Sequence, residues 1–396
     1  MSTSNFQFGG LTIPRDCKRL FVTAELVTTN GDPRLQPTGF PDVGPVFYPD
    51  PTKDPSENNG QICLIESEAS MANLLEQVCL ADSVEEQATG TLHPAFAGLP
   101  YVKVVKKVKK EDVFETASTI DGHRFASAHI MLKAKGKIDD KNEEIVEYIK
   151  RKLDSPDGKR VPSANVPIVY QLVMELDPLA LIHGFQISND KFTFVGCRSP
   201  RALTACIVGL DARLVGIPGV RLDPLEAEAG QAGQAIFRKE RIVCRKVEAK
   251  FSIDVGLLRS LPVAGLIQGE KDEDKRKKVA ELQEARSQLL VALSLWKVAK
   301  MLEQFQFGFR RRTECDLSLK KATYRTVVSG SENDPAFPIN DIVSAAQSKD
   351  EKPSELKKLI EKSEFSKDRS PLKLTIGSET EAAPSTEGQA NADVQA

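Results

Sequence analysis

Residues 19–28 read RLFVTAELVT and carry the clearest strand signal in the chain. Apolar, β-branched and aromatic residues run through this stretch without a glycine or proline, which is typical of a β-strand. Residues 62–65, ICLI, predict a second strand, short and buried. A helix is predicted next, and Ser67 or Ser70 can provide its N-cap. The apolar residues at its helical spacing are Met71, Leu74, Leu75 and Val78.

Further along the chain, predicted strands and helices alternate irregularly. Within residues 90–137, valines alternate with lysines, which fits either a β-hairpin with a cationic face or an edge strand protected by lysines. Because no regular βαβ order follows, the pattern favours an α+β fold over a doubly wound sheet. Helices are predicted over residues 140–153, 200–214 and 274–304, and strands over residues 168–176, 241–254 and 313–328.

The composition is that of an ordinary globular protein. Of the 396 residues, 40% are hydrophobic and 28% charged, which excludes a collagen, a wholly disordered chain and a membrane bundle. The polar residues 1–10 carry no secretory signal, so we expect a cytoplasmic location. The net charge is −2, but residues 331–396 hold thirteen acidic and eight basic side chains, so the preceding body is mildly basic.

Sequence signatures of common chemistries are absent. The seven cysteines are scattered without a C-x-x-C pair, and they are expected to be reduced core residues. No P-loop, strand-anchored dinucleotide motif or nucleophile elbow occurs. His123 and His129 do not have the spacing of a helical zinc site. The sequence therefore predicts no metal, no cofactor and no catalytic residue.

Basic residues are concentrated at three places, which matters because nucleic-acid binding usually shows as a patch. The concentrations are Lys103, Lys106, Lys107, Lys109 and Lys110; Arg198 and Arg201, which flank Pro200; and Arg310, Arg311 and Arg312. A run of charge is more often a solvated surface, and that interpretation stays open for the lysines.

Several sequence blocks, in order, resemble the Cas-seven-type backbone subunit of the type I-G (formerly I-U) CRISPR Cascade effector, a member of the RAMP superfamily. Leu74 stands where that family leads us to expect arginine, and His129 and Met131 replace an expected Pro-Tyr-rich stretch. The blocks are RLQPTGFPD at 34–42, LIESEASMANLLE at 64–76, LPYV at 99–102, DPLALIHG at 177–184, RSPRAL at 198–203, FSIDVGLLRSL at 251–261, and LWKVAKMLE followed by RRRTECDL within 289–317.

The resemblance implies a ferredoxin-like, RRM-like palm with inserted finger-like and thumb-like segments. On this basis residues 1–330 form the RAMP domain, with the thumb and finger insertion at about 90–160. Residues 331–376 form a partly ordered C-terminal extension, with a weak amphipathic helix near 354–362, and residues 377–396 a disordered acidic tail. The implied function is non-catalytic: copies of the chain polymerise along the spacer of a CRISPR RNA and present it to target DNA in antiviral defence. The implied partners are CRISPR RNA, the target DNA strand, further copies of the chain, the large and repeat-end-binding Cascade subunits and a recruited helicase-nuclease, with no membrane.

Two segments supply the first candidate RNA contacts. Arg34 suits a phosphate and Gln36 a ribose or phosphate oxygen, while Phe40 can stack on a base or fill the core. A plain surface loop is an equally good interpretation of this stretch. Ser67, Ser70 and Asn73 cluster at the predicted helix start, where backbone amides attract anions. Ordinary capping, which needs only one serine, is the alternative there.

Six more residues complete the predicted interface. His123 and Arg124, in the thumb-like region, can wedge a base or clamp a phosphate, unless they belong to a solvated hairpin. Arg198 and Arg201 bracket the predicted helix start near Pro200, where cation and helix N-terminus together attract phosphate. Arg310 and Arg312 share one side of an extended strand, whereas Arg311 points away.

Two other functions remain open at this stage. The chain could be a metal-independent RNA-processing endonuclease on the same fold, with His123 or His183 as base. It could also be a protein-interaction scaffold whose basic residues only solubilise its surface. A guide-holding subunit must ignore sequence, so it should grip phosphates and sugars rather than base edges.

Overall fold

The architecture comes from a computed structural model. The residues that it describes are 5–40, 44–53, 60–109, 111–153, 166–187, 197–215, 220–222, 235–238, 240–264, 271–311, 315–328, 335–348 and 352–376. None of the helices in these described ranges is long and apolar enough to cross a membrane.

The chain is mixed α+β, as predicted. Its helices are α1 Glu68–Gln77, α2 Val84–Ala88, α3 Ile145–Lys152, α4 Val166–Leu176, α5 Leu179–His183, α6 Val255–Ser260, α7 Glu273–Gln306, α8 Ile339–Ser344 and α9 Glu355–Lys362. Its strands are β1 Phe6–Phe8, β2 Leu11–Ile13, β3 Arg19–Thr28, β4 Gly39–Phe40, β5 Gly44–Pro45, β6 Phe47–Pro49, β7 Gln61–Glu66, β8 Val102–Val108, β9 Glu111–Ala117, β10 Lys135–Ile138, β11 Lys141–Glu144, β12 Phe185–Ile187, β13 Cys197–Ser199, β14 Leu203–Leu210, β15 Arg213–Leu214, β16 Val220–Leu222, β17 Ala235–Arg238, β18 Ile242–Val243, β19 Lys246–Ile253, β20 Phe309–Arg311, β21 Cys315–Val327 and β22 Leu372–Ile376.

A seven-stranded sheet with the order β20-β21-β3-β19-β14-β7-β6 forms the centre of the molecule. Its four middle strands, β21-β3-β19-β14, are antiparallel to their neighbours. In chain order these strands and the helices α1 and α7 run β3-α1-β14-β19-α7-β21. This βαββαβ order is compatible with the ferredoxin-like palm.

The core lies between this sheet and the long helix α7. From Arg286 onward α7 is largely buried, whereas its N-terminal third is mostly exposed. Trp296 is 1% exposed, and its ring meets Phe96 edge-on at 4.6 Å between centroids. Burial of such large aromatic rings contributes strongly to the stability of the core.

A second sheet is built from the long insertion and the C-terminal extension. Its order is β11-β10-β22-β8-β9. The C-terminal strand β22 lies parallel to β8 and antiparallel to β10, so it occupies the middle of this sheet. The helices α8 and α9 pack on α7, and the Arg286 guanidinium donates to the Ser363 carbonyl at 3.1 Å. The described part of residues 335–376 therefore packs on the body.

Several sequence predictions are confirmed by the elements. The stretch 19–28 is the strand β3, residues 62–65 lie within β7, and the helix predicted over 274–304 is α7. The helix predicted near 354–362 is α9. The valine–lysine stretch forms the hairpin β8–β9. The tail at 377–396 lies outside the described residues.

Two secondary-structure predictions were wrong. The apolar stretch 168–176 lies in helix α4, where buried Val169, Leu172 and Val173 share one face. Its polar residues Gln171 and Glu175 are one helical turn apart, and their side chains hydrogen-bond at 3.2 Å. A continuous apolar run does not distinguish a buried strand from a buried helix, and this i,i+4 polar pair was the signal for the helix.

The helix predicted over residues 200–214 is instead the strand β14. Leu203, Ala205 and Ile207 alternate with less buried residues, and the strand lies between β19 and β7. Pro200 belongs to the turn before the strand rather than to a helix start. Residues 200–203 do not begin a helix, so the predicted assistance of Arg198 and Arg201 by a helix N-terminus is wrong.

Candidate nucleic-acid interface

Helix α1 begins at the residues that the sequence analysis singled out. The hydroxyl of Ser67 is the N-cap and accepts from the Ser70 backbone N–H at 3.3 Å. Met71 and Leu75 are fully buried, whereas Ser70 is half-buried and Asn73 exposed. One serine therefore caps the helix, and the side chains of Ser70 and Asn73 remain on its outer side for another partner.

The segment 34–40 is held beside the beginning of α1. Leu35 exchanges two backbone hydrogen bonds of 2.8 Å with Ile242, and the Thr38 N–H donates to the Ile65 carbonyl at 2.9 Å. Gln36 is buried at 7% exposure, and Phe40 has only its backbone described, in β4. These backbone hydrogen bonds hold the segment in place, and Ile65, one of its partners, lies two residues before the N-cap Ser67.

Arg34 lies exposed at the edge of this segment. Its guanidinium donates three hydrogen bonds to Asp32, from Nε to Oδ1 at 3.0 Å and to Oδ2 at 3.2 Å, and from Nη2 to Oδ2 at 2.8 Å. These bonds hold the pKa of the Asp32 carboxyl at about 2. An exposed ion pair contributes little to stability, so Arg34 can exchange Asp32 for a phosphate at little cost.

Arg124 points inward, against the last turn of α1. Its Nε donates to Glu76 Oε1 at 2.8 Å, and Nη2 contacts the same oxygen. Only 15% of the Arg124 side chain and 16% of the Glu76 side chain are exposed. Arg124 has a positive φ of 54°, a backbone conformation that the turn and this ion pair hold in place. The neighbouring His123 is exposed.

Arg198 and Arg201 lie in the hairpin region around β13 and are both exposed. The Tyr170 hydroxyl donates to the Arg198 carbonyl at 3.2 Å, which ties the backbone there to α4. The Ala202 N–H donates to the Ile182 carbonyl at 2.9 Å. This bond brings the backbone of Arg201 next to that of His183. His183 Nδ1 in turn lies 3.7 Å from Glu76 Oε1.

Helix α1 therefore connects the predicted contacts. The segment 34–40 lies at its beginning, while Arg124 and the residues around His183 meet Glu76 near its end. A ten-residue helix is about 15 Å long, so segments that are far apart in sequence lie near the two ends of one short helix. We call Ser70, Asn73, Arg34, His123 and Arg201 the α1 ridge.

Of the C-terminal arginines, Arg310 lies away from this ridge. Arg310 pairs with Asp316 in the hairpin β20–β21, at the opposite edge of the central sheet from β6 and β7. At about 4.8 Å per strand, β20 and β7 are roughly 24 Å apart. The side chain of Arg310 is not described, and Arg312 lies outside the described residues.

A buried polar cluster lies between α1 and α7, on the core side of the α1 ridge. Lys297 on α7 is 0% exposed, and its Nζ donates to the Leu75 carbonyl and contacts Cys79 Sγ, each at 3.1 Å. Burial raises the pKa of the Asp177 carboxyl to about 7, against a smaller lowering by hydrogen bonds and by Lys297. Both residues lie in sequence blocks that carry the family resemblance, but neither was predicted as a site residue, because their burial and proximity are not evident from those blocks.

His183 belongs to the same cluster. Burial, with the charges of Lys297, Arg124 and Arg201, lowers the pKa of its imidazole well below the usual value. Neither ring nitrogen has a hydrogen-bond partner in the described part of the chain. The cavity beside it measures about 10 Å³, which is at most one water molecule. A ribose cannot reach this ring without rearrangement.

The open face of the central sheet carries further residues that sequence reasoning missed. Phe21 on β3 lies opposite Arg325 on β21, with the guanidinium carbon 5.4 Å from the ring centroid. Lys250 on β19 is exposed on the same face. These residues line a groove of about 440 Å³. The alternation in residues 19–28 places Phe21 among polar neighbours and was the available signal.

The fold and this interface define the class: an α+β protein with a βαββαβ core and a polar ridge along its first core helix. Residues 20–214 match the family described as CRISPR-associated protein GSU0053 (Cas_GSU0053). This match identifies the chain as a CRISPR-associated protein and is consistent with the expected backbone-subunit resemblance. No curated protein matches it.

Proposed function

We propose that the chain is a non-catalytic subunit that binds CRISPR RNA and forms the backbone of a type I Cascade complex. Copies polymerise along the spacer of the guide and present its bases for pairing with target DNA. The remaining partners are the large subunit, the repeat-end-binding subunit and a recruited helicase-nuclease. The observation that carries this proposal is the gathering of the predicted contacts along the α1 ridge.

The chemistry of the ridge suits an RNA backbone. Arg34 and Arg201 offer guanidinium groups for phosphates, and Ser70 and Asn73 offer donors and acceptors for phosphate or ribose oxygens. The exposed ring of His123 can stack on an unpaired base. None of these groups reads a base edge in a fixed pattern, which fits a protein that must accept any spacer.

Arg124 and Ser67 have a different part in this proposal. Arg124 is engaged by Glu76 and Ser67 by the cap of α1, so both hold the ridge in shape. We expect RNA to be bound by their exposed neighbours. Arg198, Arg310 and Arg312 remain candidate contacts for RNA, for target DNA or for a neighbouring copy.

The alternative of an RNA-processing endonuclease has less support. His183 is buried beside a cavity of about 10 Å³, whereas His123 is exposed. A general base must come within hydrogen-bond reach of the proton that it removes. His183 fails this requirement in the observed conformation.

The test is to express the chain with a repeat-spacer RNA and its neighbouring subunits, purify at moderate salt and sequence the bound nucleic acid. RNA of uniform length, protected from nuclease at a regular interval, supports the proposal. A complex without RNA contradicts it and favours a protein-interaction scaffold. Heterogeneous RNA that shortens with time favours the endonuclease.

Substitution of His123 by alanine separates the two RNA functions. A backbone subunit loses RNA affinity in this variant. An endonuclease loses turnover while still binding.

A further inference from the structure

The outer face of the second sheet carries a set of aligned lysines. In residues 133–137, KAKGK, the lysines occupy alternate positions and all three are exposed. Lys373 on β22 and Lys107 on β8 lie on the same face, because both contact Asp112. We call Lys107, Lys133, Lys135, Lys137 and Lys373 the lysine face.

The strand register places some of these charges against one another. Lys135 pairs with Thr375 between the antiparallel strands β10 and β22, so Lys137 lies opposite Lys373. Lys373 is aligned in turn with Lys103 on β8. Like charges directly opposite one another on neighbouring strands destabilise a sheet. A bound polyanion would relieve this repulsion.

Nearby acids offset only part of the positive charge. Asp112 is shared by Lys107 and Lys373, and Glu144 lies 3.9 Å from Lys135. A groove of about 690 Å³ on this face is lined by four lysines and one acid, together with uncharged residues: Lys133, Lys135, Lys137, Lys373, Asp112, Gly136, Asn142 and Thr375. The face therefore combines a net positive charge with a concave surface.

We propose that the lysine face binds the phosphate backbone of a nucleic-acid duplex, separately from the α1 ridge. Lysine ammonium groups bind phosphates as point charges without reading sequence. None of the described residues that line the groove is aromatic, whereas binding of a single strand relies on aromatic rings that stack on its bases. A duplex, whose bases are already stacked and paired, is the better match.

This inference rests on the proposed function, because it places duplex DNA beside a complex that already holds its guide. The face needs the C-terminal strand, since β22 contributes Lys373 and lies outside the matched residues 20–214. The C-terminal extension thus completes a binding surface as well as a sheet.

The test uses the full chain in its RNA-loaded complex, so that the guide surface is occupied. The probe is a labelled DNA duplex unrelated to the guide, and its affinity is measured by fluorescence anisotropy over a range of salt concentrations. The variant is K135Q/K137Q/K373Q. The matched control is K275Q/K277Q/K278Q, which removes the same charge from the exposed N-terminal part of α7.

Loss of three phosphate contacts should weaken duplex binding by about tenfold or more and reduce the slope of log affinity against log salt by about 2–3. The control should change much less. The variant K135R/K137R/K373R should restore binding, which shows that charge rather than folding is responsible. The amount of guide RNA per protein should stay the same in all variants.

Equal effects in the glutamine variant and the control would overturn the inference and leave the lysines as a solvated surface. A second combination of results would also overturn the inference. In it, the glutamine variant binds the duplex as the unchanged chain does, and removal of residues 377–396 makes the lysines of the face more accessible to acetylation. That result would assign the face to the chain's own tail, which has four acidic residues and no lysine or arginine. A complex that never retains RNA would contradict the proposed function rather than this inference. The measured amount of guide RNA per protein distinguishes the two cases.

Discussion

Two arginines that look alike in sequence have opposite surroundings in the fold. Arg34 and Arg124 each pair with one carboxylate, but the Arg34 side chain is 60% exposed and the Arg124 side chain 15%. Water screens the first pair, so a phosphate can replace its carboxylate. If Arg124 turned to a phosphate instead, the mostly buried Glu76 carboxylate would lose its cation, which is costly. Exposure, which is not evident from either motif, thus distinguishes a ligand contact from a structural one.

Arg34→Gln should lower the RNA retained by the purified complex without affecting folding. The side chain lies at the surface, so the thermal midpoint should change by no more than a few degrees. Loss of one phosphate contact should make RNA release several-fold faster at moderate salt. Measurement of bound RNA after a salt wash gives the result. Arg276→Gln, an exposed arginine on α7, is the matched control, and equal losses in the two variants would remove Arg34 from the interface.

Asp177 predicts a specific pH dependence of stability. Its pKa is about 7 in the folded chain against 3.8 for an ordinary aspartate, so between these values the folded state holds a proton that the unfolded state has lost. Its contribution to the free energy of unfolding therefore falls as pH rises through this window. Between pH 5 and 7 the fall is on the order of 2 kcal/mol.

Asp177→Asn keeps an oxygen for the hydrogen bond from the Leu179 N–H and removes the charge. Urea unfolding at pH 5 and pH 7 should show that the variant loses less stability on going to pH 7 than the unchanged chain does. His183 titrates in both chains, so the comparison isolates Asp177. Asp140→Asn, at an exposed position, is the matched control for the substitution. An identical slope in the Asp177 variant would contradict the buried, protonated carboxyl.

At the scale of the element, the two sides of α1 have different roles, one in the core and one at the proposed RNA surface. Met71 and Leu75 anchor it in the core, while Ser70 and Asn73 lie toward its outer side. Ser67 holds the first turn by capping. The tasks involve different side chains, so stability and RNA binding should respond separately to substitution.

Ser67→Ala should lower the free energy of unfolding by about 1 kcal/mol, because an N-cap hydrogen bond is lost. Asn73→Ala, at an exposed position, should leave stability almost unchanged and lower RNA affinity instead. Denaturant unfolding and RNA binding measured on both variants test this separation. An Asn73 variant that unfolds more easily but binds RNA normally would assign that residue to the fold.

At the scale of the whole molecule, the C-terminal extension completes the body. The strand β22 fills the space between β10 and β8, and α9 covers α7 with Leu356 and Ile360 buried. Without them, the second sheet would be divided and the buried Arg286 would lose the Ser363 carbonyl. Buried charges and open sheet edges are both unfavourable, the latter because they promote aggregation.

A chain that ends at residue 353 should therefore aggregate or be digested rapidly by protease. A chain that ends at residue 376 keeps β22 and should retain the thermal midpoint of the full chain. Limited proteolysis and thermal unfolding compare the two. Equal stability of both truncated chains would show that the extension is dispensable for the fold.

Local pattern predicted those elements whose side chains alternate or repeat clearly. The strand at 19–28 and the helix α7 were both evident, because one has an uninterrupted β-rich run and the other a long helical period. Residues 168–176 and 203–210 are mostly apolar stretches, and in such stretches local preference is weak. Their partners, α5 on one side and the strands β7 and β19 on the other, selected the conformation.

The sequence alone determined the family resemblance, the α+β class and the residue types suited to phosphates, since these depend on composition and local order. Only the tertiary structure decided which of those residues meet. It gathered the segment 34–40, His123 and Arg201 around α1, turned Arg124 inward and left Arg310 at the far edge of the sheet. The physical reason is that burial and strand pairing depend on contacts between residues distant along the chain, which no local pattern records.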